Sequence, residues 1–181
     1  MRVLVSFLIL LTSCSGYHFG HGGVMERYCS ICVPFVEGDN NGQLTNALIS
    51  QISSQGILAY RSCGADLLLK VCIFEPSDEN IGFNYASIND EDAKVVVANE
   101  ARLSIVARVS LIERSSQKCL LGPIEILSSI AYDFEPDLSN VTNHNFAIGQ
   151  LEMNSLAKDA AFPPLYNLLA QKIVDYLAHS W

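Results

Sequence analysis

The sequence predicts an α+β domain, a two-layer α/β sandwich with two helices packed on one face of a mainly antiparallel sheet of four to five strands. Three observations predict it. Leu103, Ile105, Ala107, Val109 and Leu111 alternate with Ser104, Arg108 and Ser110, the period of a strand with one buried face. Across residues 43–55, Leu44, Ala47, Leu48 and Ile52 recur at i, i+3, i+4 and i+8, which is one face of a helix. A second helical stripe closes the chain with Leu165, Leu168, Leu169, Ile173, Tyr176 and Leu177. Helices and strands that are each apolar on one side bury those sides most economically as two layers.

In chain order, residues 28–36 read as the first strand, with Ile31, Val33 and Phe35 alternating and Pro34 placed at its end, because proline cannot donate to a ladder. Glu37-Gly38-Asp39-Asn40-Asn41-Gly42 is a turn whose Asx side chains can cap the following helix. Gly56 ends that helix, and residues 57–61 form a short strand. In residues 66–75, Leu67, Leu69, Val71 and Ile73 share one face; Lys70 lies on the other with Leu68, Cys72 and Phe74. The chain runs extended past Pro76 to Ile88, turns at Asn89-Asp90-Glu91-Asp92 and returns as the long alternating strand. A turn at Ser115-Ser116-Gln117-Lys118 leads into a last strand over 119–134, with Ile124, Ile126, Ile130 and Tyr132 on one side. Residues 133–145 form a polar loop. Proline is tolerated only in a helix's first turn, so the closing helix is expected to start at Pro163-Pro164, with residues 148–160 as a separate helical stretch.

Before the domain stand Arg2, nine residues (3–11) suited to the apolar core of a secretory signal, and Leu11-Thr12-Ser13-Cys14. Nine residues fall short of the ~20 that span a bilayer. The four-residue box resembles the processing site of bacterial lipoproteins, where cleavage precedes a cysteine that is then acylated. The expected organisation is a signal peptide over 1–13, a lipidated flexible tether over 14–26 and a single domain over 27–181. Stable anchoring needs more than one acyl chain, each buried methylene contributing roughly 0.8 kcal/mol. Removing residues 1–13 takes away one base and no acid from a net charge of −8, leaving about −9. Nucleic acid is held by clustered Lys and Arg, so that balance argues against it as a partner. With half of its residues apolar, the chain can build a packed core.

Cys14-Ser15-Gly16-Tyr17-His18-Phe19, Ile31-Cys32-Val33-Pro34-Phe35, Leu44-Thr45-Asn46-Ala47-Leu48 and Ala65-Asp66-Leu67 follow one another in an order and spacing that resembles the lipopolysaccharide-assembly lipoprotein family of the outer membrane, LptE. The resemblance covers nearly the whole chain after Cys14. It implies a sandwich that plugs an LptD-type β-barrel, helps assemble it and helps deliver lipopolysaccharide to the outer leaflet. No enzyme activity and no cofactor are implied. Cys14 would be the lipid anchor, and Ser15 after it, where an inner-membrane retention signal places Asp, favours the outer membrane. Lys70, Lys94, Arg102 and Arg108 are the candidate contacts with barrel or glycolipid, while the turn beside Lys94 is acidic. An alternative is a periplasm-facing lipoprotein that binds and activates a cell-wall synthase.

The other constellations read as structure. Cys29-Ser30-Ile31-Cys32 has redox spacing but falls in an expected strand, not at a helix N-terminus that would lower a thiol pKa. Zinc would need a second pair, and Cys63, Cys72 and Cys119 are scattered. The five cysteines after Cys14 are an odd number, and their spacing leaves any disulfide pattern open. His18 and His21, with no carboxylate pair nearby, do not make a metal site. His144 and His179 are isolated, and no Gly-x-Ser-x-Gly element exists.

Overall fold

The computed structural model describes residues 27–87, 94–134 and 148–180. These form β1 (Ser30–Cys32), α1 (Gln43–Gln55), β2 (Ala59–Tyr60), β3 (Leu67–Ile73), β4 (Ser77–Ser87), β5 (Lys94–Glu113), β6 (Cys119–Asp133) and α2 (Ile148–His179). The expected α+β fold is the one observed. The described residues give six strands, because the extended run through Pro76 splits into β3 and β4.

β5 is the spine. Its C-terminal half pairs antiparallel with β3, from Leu67 opposite Glu113 to Ile73 opposite Ala107. Its N-terminal half pairs with β4, from Ser77 opposite Ser104 to Ser87 opposite Lys94. β3 and β4 thus occupy one edge of β5 in succession, and the Phe74 N–H bonded to the Val106 carbonyl at 2.9 Å carries the ladder across the break. β6 covers the other edge, from Glu100 opposite Asp133 to Ile112 opposite Cys119. β1 adds to β3 in parallel and β2 adds to β1 in parallel, so the sheet is mixed at that end. α1 makes the crossover that a parallel β1–β2 pair requires.

β1 is shorter than the alternation over 28–36 suggests. Pro34 interrupts the ladder, and pairing resumes only at Glu37, whose N–H and carbonyl bond Val71 and Ile73 at 3.1 and 2.9 Å. The intervening loop lies hard against β3. Gly38 has φ +91°, and a Cβ there would meet the Ile73 carbonyl oxygen at 2.8 Å. The Asx residues of this loop do cap α1, from an unexpected distance. The N-cap residue Gly42 makes no side-chain cap; instead the buried Asp39 carboxylate accepts the Thr45 N–H at 2.8 Å and its hydroxyl at 2.9 Å. The Thr45 hydroxyl also accepts the Val36 N–H at 3.1 Å, locking helix start to strand end.

The closing helix corrects the expectation. Residues 148–179 form one helix that runs through Pro163 and Pro164. Each proline deletes an N–H, so the carbonyls of Asp159 and Ala160 lose their i+4 donors. Packing decides against a break: Ala161, Leu165, Leu169, Ile173 and Leu177 are buried at strict four-residue intervals on both sides of the prolines. Leu168 lies off this stripe and is 36% exposed. The core sits between that stripe, the α1 face of Leu44, Ala47, Leu48 and Ile52, and the inward face of the sheet from Leu67 to Leu111. No helix of the described residues is long and apolar enough to cross a membrane.

Candidate functional site

The face of the sheet away from the helices carries the alternate residues of β3, β5 and β6. Lys70 and Arg108 lie on it, diagonal across β3 and β5, since Lys70 pairs with Ser110 and Cys72 with Arg108. Arg102 is on the same face of β5, between Glu79 of β4 and Ala131 of β6. Lys94 begins β5 opposite Ser87. From Lys94 to Arg108 the strand rises roughly 46 Å at ~3.3 Å per residue, so these bases form a line and do not converge.

Two of them are already engaged. Lys70 pairs with Glu37 at 3.3 Å, and Arg108 with Glu125 at 2.8 Å. The Arg108 guanidinium also stands 5.0 Å from the Phe74 ring centre. Both ion pairs are exposed and contribute little to stability, roughly 0–1 kcal/mol. Arg102 is exposed and has no carboxylate partner among the described residues. Next to Arg108 and Glu125, Val106 of β5 pairs with Leu127 of β6, and Phe74, just past β3, bonds Val106 from the other edge, Phe74 and Leu127 being exposed. The face therefore offers an apolar row beside neutralised charges.

Beyond the end of β6, β4 and β5 continue as a two-stranded ribbon. Tyr85 pairs with Val96 and Phe83 with Ala98, so these residues share one face. Phe83 is 57%, Tyr85 75% and Val96 56% exposed. The signal of this patch in the sequence is Ile81, Phe83 and Tyr85 at successive second positions. The ribbon is braced at its base: the Tyr132 hydroxyl donates to Asp78 at 2.9 Å, and Lys158 of α2 pairs with the same carboxylate at 3.0 Å. Desolvation, then the bond to Asp78, pushes the Tyr132 phenol up to about 12.

The opposite end of the sheet is closed by two carboxylates. Asp66 accepts the Ser30 hydroxyl at 2.7 Å and the N–H groups of Ser30 and Cys29 at 3.0 and 3.2 Å. The Ser30 hydroxyl, then the Cys29 N–H, hold its carboxyl below the usual range. Glu113 accepts the hydroxyls of Ser116 and, at 3.1 Å, of Tyr28, which lower its pKa in that order.

Cys14, His18, His21, the turn at 89–92 and His144 lie outside the described residues. Cys29, Cys32, Cys63, Cys72 and Cys119 are free thiols. Cys29 is exposed just before β1, whereas Cys32 is buried with its thiol 3.4 Å from the Ser62 carbonyl, so the CxxC pair does not open a helix. Among the described residues no three His, Cys, Asp or Glu side chains gather as a metal site.

The chain course is similar to those of several solved structures. A minor lipoprotein from Acinetobacter baumannii is 10% identical, with 84% of this chain and 94% of that chain covered and a TM-score of 0.46. Rare lipoprotein B from Shewanella oneidensis is 11% identical, with 82% and 93% covered and a TM-score of 0.47. A hypothetical protein from Chlamydia trachomatis is 9% identical, with 83% and 96% covered and a TM-score of 0.49. No family model and no curated protein matches the sequence.

Proposed function

We propose that this chain is a non-enzymatic lipoprotein, held on the periplasmic side of the outer membrane through acylated Cys14, that plugs and helps assemble an LptD-type β-barrel and so assists lipopolysaccharide transport to the outer leaflet. The observation that carries this reading is the ordered series of motifs from Cys14 to Leu67. Its members after the tether coincide with residues that hold one end of the fold together: Ile31 and Val33 in the core, Thr45 on Asp39, and Asp66 across the start of β1. A plug acts through shape and position, so it needs a stiff body with faces that a barrel wall can meet. The apolar row flanked by ion pairs on the open sheet face supports that use, and the ribbon gives a second apolar surface at the far end. On this reading Arg102 is the described base of the open face most free to meet an acidic group.

The test uses a photo-crosslinking residue at position 104 on the open face, in cells that carry the native chain, together with Cys14→Ala. The expected product is a crosslink to an outer-membrane β-barrel, lost or strongly reduced when Cys14 can no longer be acylated. A crosslink to a soluble cell-wall synthase instead, or an unacylated Cys14, overturns the reading.

A further inference from the structure

An edge strand leaves a row of N–H and carbonyl groups unmatched, and proteins guard such rows with short length, proline, charge or a covering side chain. The free edges of this sheet differ in that respect. β2 is only two residues long. β6 carries Pro123 and Glu125, and the Lys172 ammonium of α2 donates to its Leu127 carbonyl at 2.9 Å. The stretch of β5 that β6 does not reach begins with Lys94. β4 has none of these guards over most of its length. It is 11 residues long and ends the strand order, paired among the described residues with β5 alone. From Asn80 to Ser87 it contains no charged residue and no proline. Phe83, Asn84 and Tyr85 on this stretch are exposed.

The sequence of that edge also reads nearly alike from either end. About Gly82, Ser77 mirrors Ser87, Asn80 mirrors Asn84 and Ile81 mirrors Phe83. Two β4 strands laid antiparallel across a two-fold at Gly82 therefore set hydroxyl against hydroxyl, amide against amide and apolar against apolar. The acids Asp78 and Glu79 fall opposite Ala86 and Tyr85 of the second copy, so no like charges face one another. Asp78 is in any case already held by Tyr132 and Lys158. The irregularities of the β4–β5 ladder flank Gly82 on both sides, so they fall at the centre of this arrangement. A residue without a Cβ belongs at such a point of close backbone approach.

We infer that two copies of this chain join through β4, antiparallel about Gly82, so that their two sheets run on as one. A foreign strand needs no mirror symmetry in the edge that receives it. A second copy does, because in a two-fold interface each contact between two positions occurs twice, with the roles exchanged. The pairing also gives Phe83, 57% exposed in the single chain, an apolar neighbour in Ile81 of the other. This inference does not rest on the proposed barrel partner.

Sedimentation equilibrium of the full chain in a neutral detergent tests it, and a reversible dimer is expected. Phe83→Lys places a cation opposite Ile81 at both ends of the pairing and is expected to weaken the dimer by about tenfold or more. The same change moves the net charge of −8 toward neutrality, so association governed by overall repulsion would tighten instead. Ile81→Glu/Phe83→Lys brings opposite charges together in this register and is expected to dimerise more tightly than Phe83→Lys. Leu127→Lys alters an exposed apolar residue of β6 in the same way and is expected to stay within about twofold of the parent. Thermal melts establish that each variant is folded. A monomeric parent, a dimer indifferent to Phe83→Lys, a double variant no tighter than Phe83→Lys, or an equal loss in Leu127→Lys would each overturn the assignment.

Discussion

The two halves of β5 make the most instructive comparison in this molecule. From Ala101 to Leu111 its odd residues are buried in the core, with the end of β4 and then β3 on one edge and β6 on the other. From Lys94 to Ala98 the same strand has β4 alone for company, and Val96 lies exposed beside Tyr85 and Phe83. Both halves are rich in β-branched and apolar residues, so composition does not distinguish them; the reach of β6 does. The first half spends its apolar side chains on stability. The second buries Val97 on one face and leaves Val96 exposed on the other beside Tyr85 and Phe83, where the apolar side chains contribute little to folding.

That contrast can be broken first in the packed half. Leu48→Ala removes a fully buried side chain between α1 and the sheet, and should cost about 2–5 kcal/mol, read as a lower urea midpoint with unchanged slope. A smaller and pH-dependent effect belongs to the clamp at the same end. The folded carboxyl of Asp66 titrates below its unfolded value, so its contribution to stability is complete above the unfolded value and is lost as pH falls through the folded one. Asp66→Asn should therefore lower the melting temperature at neutral pH and flatten its decline below about pH 4; an unaltered acid limb would show that the clamp is not what acid breaks. The smallest effect on stability is expected in the ribbon. Tyr85→Ser should change unfolding free energy by no more than about 0.5 kcal/mol, read from urea unfolding, and on the proposed function should weaken recovery of a β-barrel in pull-down from cells. A ribbon substitution as costly as Leu48→Ala would erase the distinction between the halves.

Much of the packed half was legible in the residues. Period-two alternation in 66–75 and 103–111 and the α1 stripe place the core side chains on the faces they occupy. The unbroken helix through Pro163-Pro164 is not legible in local proline chemistry, which is only one term; Ala161 and Leu165, buried on either side of the pair, outweigh it through tertiary packing. In the candidate site, the shared face of Lys70, Arg102 and Arg108 follows from strand period. Their neutralisation does not, since Glu37 reaches Lys70 from a loop far earlier in the chain and Glu125 reaches Arg108 from another strand.

The position of the chain's entry has a mechanical consequence. Residue 28 sits beside Glu113, at one end of β5; the ribbon leaves the body at Glu100, roughly 43 Å along the strand, and its strand begins at Lys94, roughly 63 Å along it, at ~3.3 Å per residue. If the proposed anchor and partner act on this chain, a pull between residue 28 and the ribbon runs along the strands, loading many ladder bonds together in shear instead of peeling them singly. Within that path β1 is the thinnest link, only three residues long. The Asp66 clamp and the short parallel pairings of β1 are then what set how much tension the protein bears before its attachment point tears away from an otherwise intact body.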